Sequence, residues 1–268
     1  MWGGAFLPGV GWLRVRQSAI VKPMRFAAEL AADHLTLMID GRAVFVPIRR
    51  SARARRMILR MDAARGGPVL TLPVASSLAE ARRFLDSHSG WLASRLARLP
   101  QARPFADDTV FPLRGAACRI VHRDGRGVIR LEAMPGERRV IVPGAAAHLP
   151  RRLGDWLRGE ARRDLAAAVS DHAAAIDANV SALRIGDAKS RWGSCTRRGV
   201  LSFSWRLILA PPFVLDYLAA HEVAHLGEMN HGPAFWRLVA RLDPDFENAR
   251  AWLKTHGPGL HAVGRAET

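Results

Sequence analysis

The chain has 268 residues, of which 49% are hydrophobic, and its 40 Lys and Arg residues against 24 Asp and Glu give a formal net charge of +16. This hydrophobic content excludes a disordered chain, and the length suffices for one large domain or two small ones. The positive charge favours polyanionic partners such as nucleic acid or nucleotides, with a merely solvated surface as the equal alternative.

Signals for targeting and for disulfide bonding are weak. Cys118 and Cys195 lie far apart in the sequence and do not suggest a disulfide scaffold. No segment approaches the roughly 20 continuous apolar residues of a membrane span. The apolar start of the chain has no basic region before it, as a signal peptide would have. We therefore expect a cytoplasmic protein whose residues 1–23 form a disordered extension.

The first part of the chain is predicted to be rich in β-strands. Strands are predicted at 35–40, 43–48, 57–61 and 69–72. Gly41 marks a tight hairpin turn between the first two. The dense basic run from Arg49 to Arg56 could touch polyanions, but a charged strand edge that resists aggregation is the favoured interpretation.

A helix is predicted after these strands. Ser76-Ser77 is the expected capping pair, with Glu80 in the first turn. The apolar pattern continues to Leu96, with a predicted break at Gly90. The proline-containing segment 100–104 is predicted to be a linker.

A second group of strands and a long helix follow. Strands are predicted at 110–113, 118–122, 128–131, 139–142, 182–185 and 200–205. The segment 149–176 is predicted to be helical. His172 lies near its end and could approach a metal ion, but a lone histidine on a helix is more often a packing or surface residue.

The loop from Lys189 to Cys195 has an unusual composition. Lys189, Arg191, Trp192 and Ser194 are candidates for binding substrate or stabilising an oxyanion, since cations beside a reaction centre can hold a phosphate or a developing negative charge. The alternative is that Trp192 packs in the core while both cations are solvated. For Cys195 we favour a buried, inert thiol over a nucleophile or a metal ligand.

A helix is predicted from Pro211–Pro212 to Gly227, and it carries the sequence His221-Glu222-Val223-Ala224-His225. Residues four apart lie on one face of a helix, so His221 and His225 can point at one ion. Glu222 can then reach a water molecule on that ion without binding the ion itself.

His231 is the natural third ligand, because a stop at Gly227 lets the chain turn back. Three histidines with an open fourth position are typical of a catalytic zinc site, and the nearby glutamate is typical of a general base. The alternative is a surface helix with scattered histidines, which would leave three His and one Glu in eleven residues without a packing role.

Several segments together resemble the bacterial YgjP-like metallopeptidase family, which is related to the SprT-like zinc proteases. The matching segments are 189–195, 205–207, 210–212, 215–217, 221–231 and 235–236. The close match covers residues 189–236, and residues 43–100 are similar in pattern but more loosely. Gly232 departs from the serine expected in many relatives.

The resemblance implies a zinc-dependent hydrolase with His221, His225 and His231 as ligands and Glu222 as the catalytic base. It also implies an α+β fold, in which a zincin-like metallopeptidase domain with the HExxH helix packs against an N-terminal antiparallel β-rich subdomain. The expected organisation is an extension at 1–23, a β-rich subdomain with one helix at 24–102, the zinc metallopeptidase domain at 103–253 and a tail at 254–268.

Three functions follow from these features. The first is a metallopeptidase that cleaves peptides or proteins, and the second is a metal-dependent nucleoside triphosphate (pyrophosphate) hydrolase that uses the same activated water. The third is a nucleic-acid-associated protease localised by its basic surface. A purely structural zinc site would leave Glu222 idle. Asp216 and Glu228 are the carboxylates nearest in sequence that could orient the histidines, and the alternative for Glu228 is a simply exposed side chain. No membrane and no obligate protein partner are expected.

Overall fold

The fold is taken from a computed structural model. It describes residues 13–14, 34–62, 66–98, 100–188 and 190–265. These residues form an α+β protein, and their contacts divide the chain into two compact units with the boundary between Pro100 and Gln101. The predicted extension at 1–23 lies almost entirely outside the described residues.

The first unit contains one five-stranded sheet and two helices. Its strands are β1 (Leu13–Arg14), β2 (His34–Ile39), β3 (Arg42–Ser51), β4 (Ile58–Asp62) and β5 (Gly67–Pro73). They are ordered β1-β4-β5-β3-β2. β5 lies between β4 and β3, and it runs antiparallel to β4 but parallel to β3, with Leu70 opposite Ile48. The expectation of an antiparallel sheet is therefore wrong: the sheet is mixed.

In this unit the sequence correctly predicted the hairpin turn and the cap of the first helix. Asp40 and Gly41 both have positive φ angles, as expected for the tight hairpin turn between β2 and β3. Helix α1 (Leu78–Ser87) begins with the predicted cap: the Ser77 hydroxyl accepts from the Glu80 N–H at 3.1 Å, and the Glu80 carboxylate accepts from the Ser77 N–H at 2.9 Å.

The helix break lies at His88 rather than at the predicted Gly90. His88 leaves helical geometry, and its Nδ1 atom lies 2.6 Å from the Phe84 carbonyl oxygen. Helix α2 (Ser89–Leu96) follows at once. Gly90 lies within helix α2, because a glycine inside a helix is only mildly unfavourable. The backbone leaves helical geometry at His88 instead, where the side chain contacts a carbonyl oxygen of the preceding turn.

The second unit contains two sheets and four helices. Its strands are β6 (Val110–Leu113), β7 (Ala116–Arg123), β8 (Arg130–Met134), β9 (Glu137–Pro143), β10 (Ala182–Gly186), β11 (Gly193–Cys195) and β12 (Val200–Ser204). Its helices are α3 (Leu149–Ala175), α4 (Pro212–Gly227), α5 (Pro233–Leu242) and α6 (Phe246–Leu260). The sheets are ordered β6-β7-β9-β8 and β10-β12-β11.

The two faces of the β10-β12-β11 sheet differ in polarity. Leu201 and Phe203 of β12 are buried on one face. Between them Ser202 points to the other face, where it pairs with Arg184 of β10 and Ser194 of β11. The side chains of Arg184, Ser202 and Ser194 thus form a polar row on the face away from the core.

The end of the chain differs from the expected tail. α6 continues to Leu260, and Leu260, His261, Ala262 and Val263 are almost fully buried. Arg103 holds this end in place, since its N–H donates to the Ala262 carbonyl at 2.9 Å. Among the described residues, no helix is long and apolar enough to cross a membrane.

Candidate active site

Helix α4 carries most of the site and is buried on nearly all sides. It begins directly after Pro211, and a proline at its first position gives up only an N–H that would have no helical partner. From Val214 to His225 every residue is buried except Asp216. A helix of this kind lies in the centre of a domain, so its polar side chains need partners there.

The imidazoles of His221, His225 and His231 converge at the end of α4. One ring nitrogen from each lies within 4.8 Å of the others, and the Nε2 atoms of His221 and His231 are 3.2 Å apart. α4 ends at Gly227, as the sequence predicts, and the loop that follows brings the half-buried His231 back to the helix. The structure thus brings together the three histidines that the sequence singled out.

Neutral hydrogen-bond partners orient two of these rings. The Tyr217 hydroxyl lies 3.3 Å from Nδ1 of His221, and the Glu228 backbone oxygen lies 3.0 Å from Nδ1 of His225. These bonds leave the Nε2 atoms of both rings for the cluster. The expected role for the Glu228 carboxylate is not found, because Glu228 contributes its backbone oxygen instead.

Asp216, the other expected orienting carboxylate, pairs with a different histidine. Its Oδ1 atom lies 3.0 Å from Nε2 of His172, between α4 and α3. This bond raises the pKa of His172, with burial acting in the opposite direction. His172 therefore has a packing role and does not belong to the three-histidine cluster.

Burial sets the charge of the cluster. It lowers the pKa of His221 to about 3, and the neighbouring imidazoles of His225 and His231 act in the same direction. Burial also lowers the pKa values of His225 and His231. The rings are therefore neutral at physiological pH, which is the form in which imidazole binds a metal ion.

Glu222 lies beside the cluster in unusually close contact with β11. A methyl group at Gly193 would fall 2.4 Å from Oε1 and 2.7 Å from Cγ of Glu222. Only a glycine lets the strand approach this carboxylate so closely. This contact was not predicted, because β11 was expected to be part of a loop.

The chemical state of Glu222 is set by its burial. The side chain is 4% exposed, and its Oε2 atom is buried without a hydrogen-bond partner in the described part of the chain. Burial raises the pKa of Glu222 to about 8, while the positive charge of Arg191 acts in the opposite direction. A buried carboxylate with one unengaged oxygen is suited to exchanging a proton with a molecule that enters the site.

The remaining candidates, in β11 and in the loop before it, occupy different environments. Trp192 is buried and stacks on His261 with ring centroids 4.8 Å apart. Ser194 points to the sheet face opposite Gly193 and Glu222. Arg191 is exposed, and Lys189 lies outside the described residues. Among the described residues of this loop, Arg191 is thus the cation whose charge lowers the pKa of Glu222.

A cavity of about 280 Å³ lies along the polar row of the β10-β12-β11 sheet. Arg184, Arg191 and Ser194 are among its lining residues. Cys195 is buried on the other side, and burial raises the pKa of its thiol to about 11, which agrees with the expected inert cysteine.

A family model of the YgjP-like metallopeptidase domain matches residues 55–256, which is more than half of the chain. The chain belongs to the YgjP-like metallopeptidase family. The resemblance seen in the sequence is thereby confirmed. Membership in the YgjP-like family implies a metal-dependent hydrolase that acts on peptides or proteins.

Two further comparisons add little to this assignment. A solved structure that resembles the chain is the crystal structure of the metallopeptidase zymogen of Pyrococcus abyssi abylysin, at 18% identity and a TM-score of 0.31. The similarity covers 34% of this chain and 95% of that one. No curated protein matches the chain.

The donor set fits the metal ion that a YgjP-like metallopeptidase requires. Three neutral imidazoles with converging nitrogens can act as ligands, and Glu222, which follows His221 on α4, has a buried Oε2 atom without a hydrogen-bond partner in the described part of the chain. Sequence spacing within one helix and the next loop was sufficient to predict that the three histidines lie together.

The role of Arg206, which is 9% exposed, was not predicted from the sequence. Its guanidinium donates to the carbonyl oxygens of Leu260 at 2.9 Å and Val263 at 2.6 Å, and it also binds the Asp187 carboxylate. Arg206 thereby fastens the end of α6, where His261 supports Trp192. The partner carbonyls lie 54 and 57 residues away, and no local pattern indicates them.

Proposed function

We propose that this YgjP-like protein is a zinc-dependent peptidase in which His221, His225 and His231 hold the zinc ion and Glu222 is the general base. The observation that carries the proposal is the Glu222 carboxylate, buried beside three converging imidazoles with Oε2 unengaged. Three histidine ligands with a position left open for water are the usual set of a catalytic zinc site. The second unit would then be zincin-like, with α4 as its active-site helix.

The proposed mechanism assigns the proton transfers to Glu222. Zinc, when bound, supplies the positive charge that acidifies a water molecule and polarises the scissile carbonyl group. Glu222 accepts a proton from the water as the water oxygen attacks the carbonyl carbon, and it later donates that proton to the leaving amine nitrogen. Glu222 is suited to both transfers because its Oε2 atom makes no hydrogen bond to the described part of the chain.

Within the loop, Arg191 is our candidate for contacting the substrate. It is exposed, and its charge acts on Glu222, so it could stabilise the negative charge that develops on the carbonyl oxygen. Trp192 instead supports the loop from within. Ser194 faces away from Glu222, and Lys189 is kept as a candidate on its sequence position alone.

A nucleoside triphosphate hydrolase is the alternative, and the cavity lined by Arg184 and Arg191 favours it. Guanidinium groups bind phosphate well. The side chains of Arg184 and Ser194, however, lie on the sheet face that points away from Glu222, so a phosphate bound by these two side chains would not face the base. A nucleic-acid-associated protease has only the net charge of +16 in its favour.

The proposal is tested by comparing zinc-loaded wild-type protein with Glu222→Gln and Glu228→Gln. Glu228 is an exposed acid near the same histidines, and its substitution keeps the backbone oxygen that His225 contacts. We expect Glu222→Gln to bind zinc but to lose cleavage of unfolded protein substrates by about 100-fold or more, and Glu228→Gln to retain cleavage.

Nucleoside triphosphates are assayed in parallel with the protein substrates. Full peptide cleavage by Glu222→Gln would refute the role of Glu222. Phosphate release without peptide cleavage would support the nucleotide hydrolase instead.

A further inference from the structure

The hydrogen bond between Tyr217 and His221 lies behind the proposed ligands, on the side away from their converging nitrogens. Tyr217 is 3% exposed, and it precedes His221 by one helical turn on α4. Its hydroxyl lies 3.3 Å from Nδ1 of His221, and the two rings meet edge to face with centroids 5.7 Å apart. The tyrosine thus contacts the ligand ring through both its oxygen and its aromatic ring.

A column of stacked side chains holds Tyr217 in place. Its ring is stacked on Phe246 at the start of α6, Phe246 is stacked on Trp236 of α5, and the Arg250 guanidinium lies 4.6 Å from the Trp236 ring centroid. Aromatic stacking and cation–π contact of this kind fix ring orientation. Tyr217 therefore has little freedom to turn away from His221.

We propose that Tyr217 is a positioning residue that holds His221 as an Nε2 ligand by accepting a hydrogen bond from its Nδ1–H. A neutral imidazole carries one proton, so a proton on Nδ1 leaves the Nε2 lone pair for the metal ion. This inference rests on the proposed metal centre, and it assigns a function to a residue that does not itself touch metal or substrate.

The choice of a phenol has a chemical consequence for the site. Histidine ligands are commonly oriented by a carboxylate, whose negative charge increases the basicity of the imidazole. Here the partner of His221 is a phenol and the partner of His225 is a backbone carbonyl, and neither is an ionised group. With these uncharged partners, His221 and His225 would donate less negative charge to a bound metal ion, which would favour acidification of a water molecule and polarisation of a carbonyl group.

The test uses Tyr217→Phe, which removes the hydroxyl but keeps the ring and its stacking on Phe246. We expect the dissociation constant for zinc to rise about tenfold, as is typical when a hydrogen-bond partner of a ligand is lost. The melting temperature of the metal-free protein should fall by only about 2–4 °C, because one buried hydrogen bond is removed. Val214→Ala is the matched control: it perturbs a buried position one turn from Tyr217 and should leave zinc affinity within about twofold of wild type.

A second readout uses the fact that Tyr217 is the only tyrosine of the chain. Protein labelled with 3-fluorotyrosine gives one fluorine resonance, and we expect that resonance to shift on zinc addition with the same midpoint as zinc binding.

The outcomes separate this inference from the proposed function. If wild-type protein binds no zinc, both are overturned. A different result overturns only the role of Tyr217. In that case wild type binds zinc, the dissociation constant of Tyr217→Phe for zinc is within about twofold of the wild-type value, and zinc does not shift the fluorine resonance of wild type.

Discussion

Gly193 and Glu222 are in direct contact: the α-carbon of a strand residue lies against the carboxylate of the proposed base. Any β-carbon at position 193 would fall within 2.8 Å of three Glu222 atoms, including 2.4 Å from Oε1. The Glu222 carboxylate can therefore occupy its position in the site only because residue 193 is a glycine and has no side chain. Strand β11 thus limits the positions that the Glu222 side chain can adopt.

Gly193→Ala should displace Glu222 and reduce peptide cleavage by about 100-fold, because a shift of about 1 Å at a catalytic group can have this effect. Zinc binding should persist, since the histidines are not displaced directly. The measurement is kcat/KM beside zinc stoichiometry. Gly186→Ala is the matched control on β10 of the same sheet, where an added methyl group meets no atom within 4 Å. Equal activity of the two variants would contradict the proposed contact.

Zinc removal should lower the stability of the second unit. A ligand present at about 100 times its dissociation constant stabilises the folded state by about 2.7 kcal/mol. Chelation should therefore lower the melting temperature of wild-type protein, and His231→Ala should abolish that response by removing one proposed ligand. His148→Ala, an exposed histidine away from the cluster, should respond like wild type. A chelator-sensitive melting temperature in His231→Ala would argue against His231 as a ligand.

Arg206→Lys should destabilise the protein, because a lysine cannot bind the Asp187 carboxylate and two carbonyl oxygens together. We expect the free energy of unfolding to fall by about 2–3 kcal/mol, as for loss of charged hydrogen bonds at a buried site. Urea unfolding measures this change. Arg237→Lys on the exposed side of α5 should change stability by less than about 0.5 kcal/mol. An equally small change in the free energy of unfolding for Arg206→Lys would show that the end of α6 does not depend on the hydrogen bonds of Arg206.

The His172–Asp216 pair predicts a pH dependence of stability. Asp216 raises the pKa of His172 in the folded state, so the pair contributes stability that is fully present below the unfolded pKa of about 6.5 and is lost as pH rises through the raised folded pKa. Asp216→Asn should therefore lower the free energy of unfolding more at about pH 5.5 than at about pH 8.5. The difference should stay below about 1 kcal/mol, because the Asp216 side chain is half exposed.

Urea unfolding at the two pH values checks this prediction, with Asp124→Asn as the control at an exposed carboxylate beyond the end of β7. A destabilisation by Asp216→Asn that is equal at both pH values would show that His172 is not charged in the folded protein.

Local features were predictable from the sequence because they depend on residues a few positions apart. The turn at Asp40–Gly41, the Ser77–Glu80 cap and the limits of α4 all follow from backbone preferences within one turn of chain. The three histidines belong to the same class, since two share one helical face and the third follows within six residues. Strand limits were less accurate: β8 begins at Arg130, two residues beyond the expected start.

The tertiary structure alone decided which distant residues support the site. The placement of Gly193 against Glu222, the bond from Arg206 to the end of α6, and the burial of residues beyond 253 join segments that lie tens of residues apart. Such contacts are set by how whole elements pack.

The partners of individual side chains show the same division. Asp216 and Tyr217 are adjacent in sequence, yet one pairs with His172 of α3 and the other with His221. Their directions differ because successive residues of a helix point about 100° apart and so meet different neighbours. Local spacing in the sequence determined that the three histidines and Glu222 lie on α4 and the loop after it, and packing around α4 determined which groups contact them.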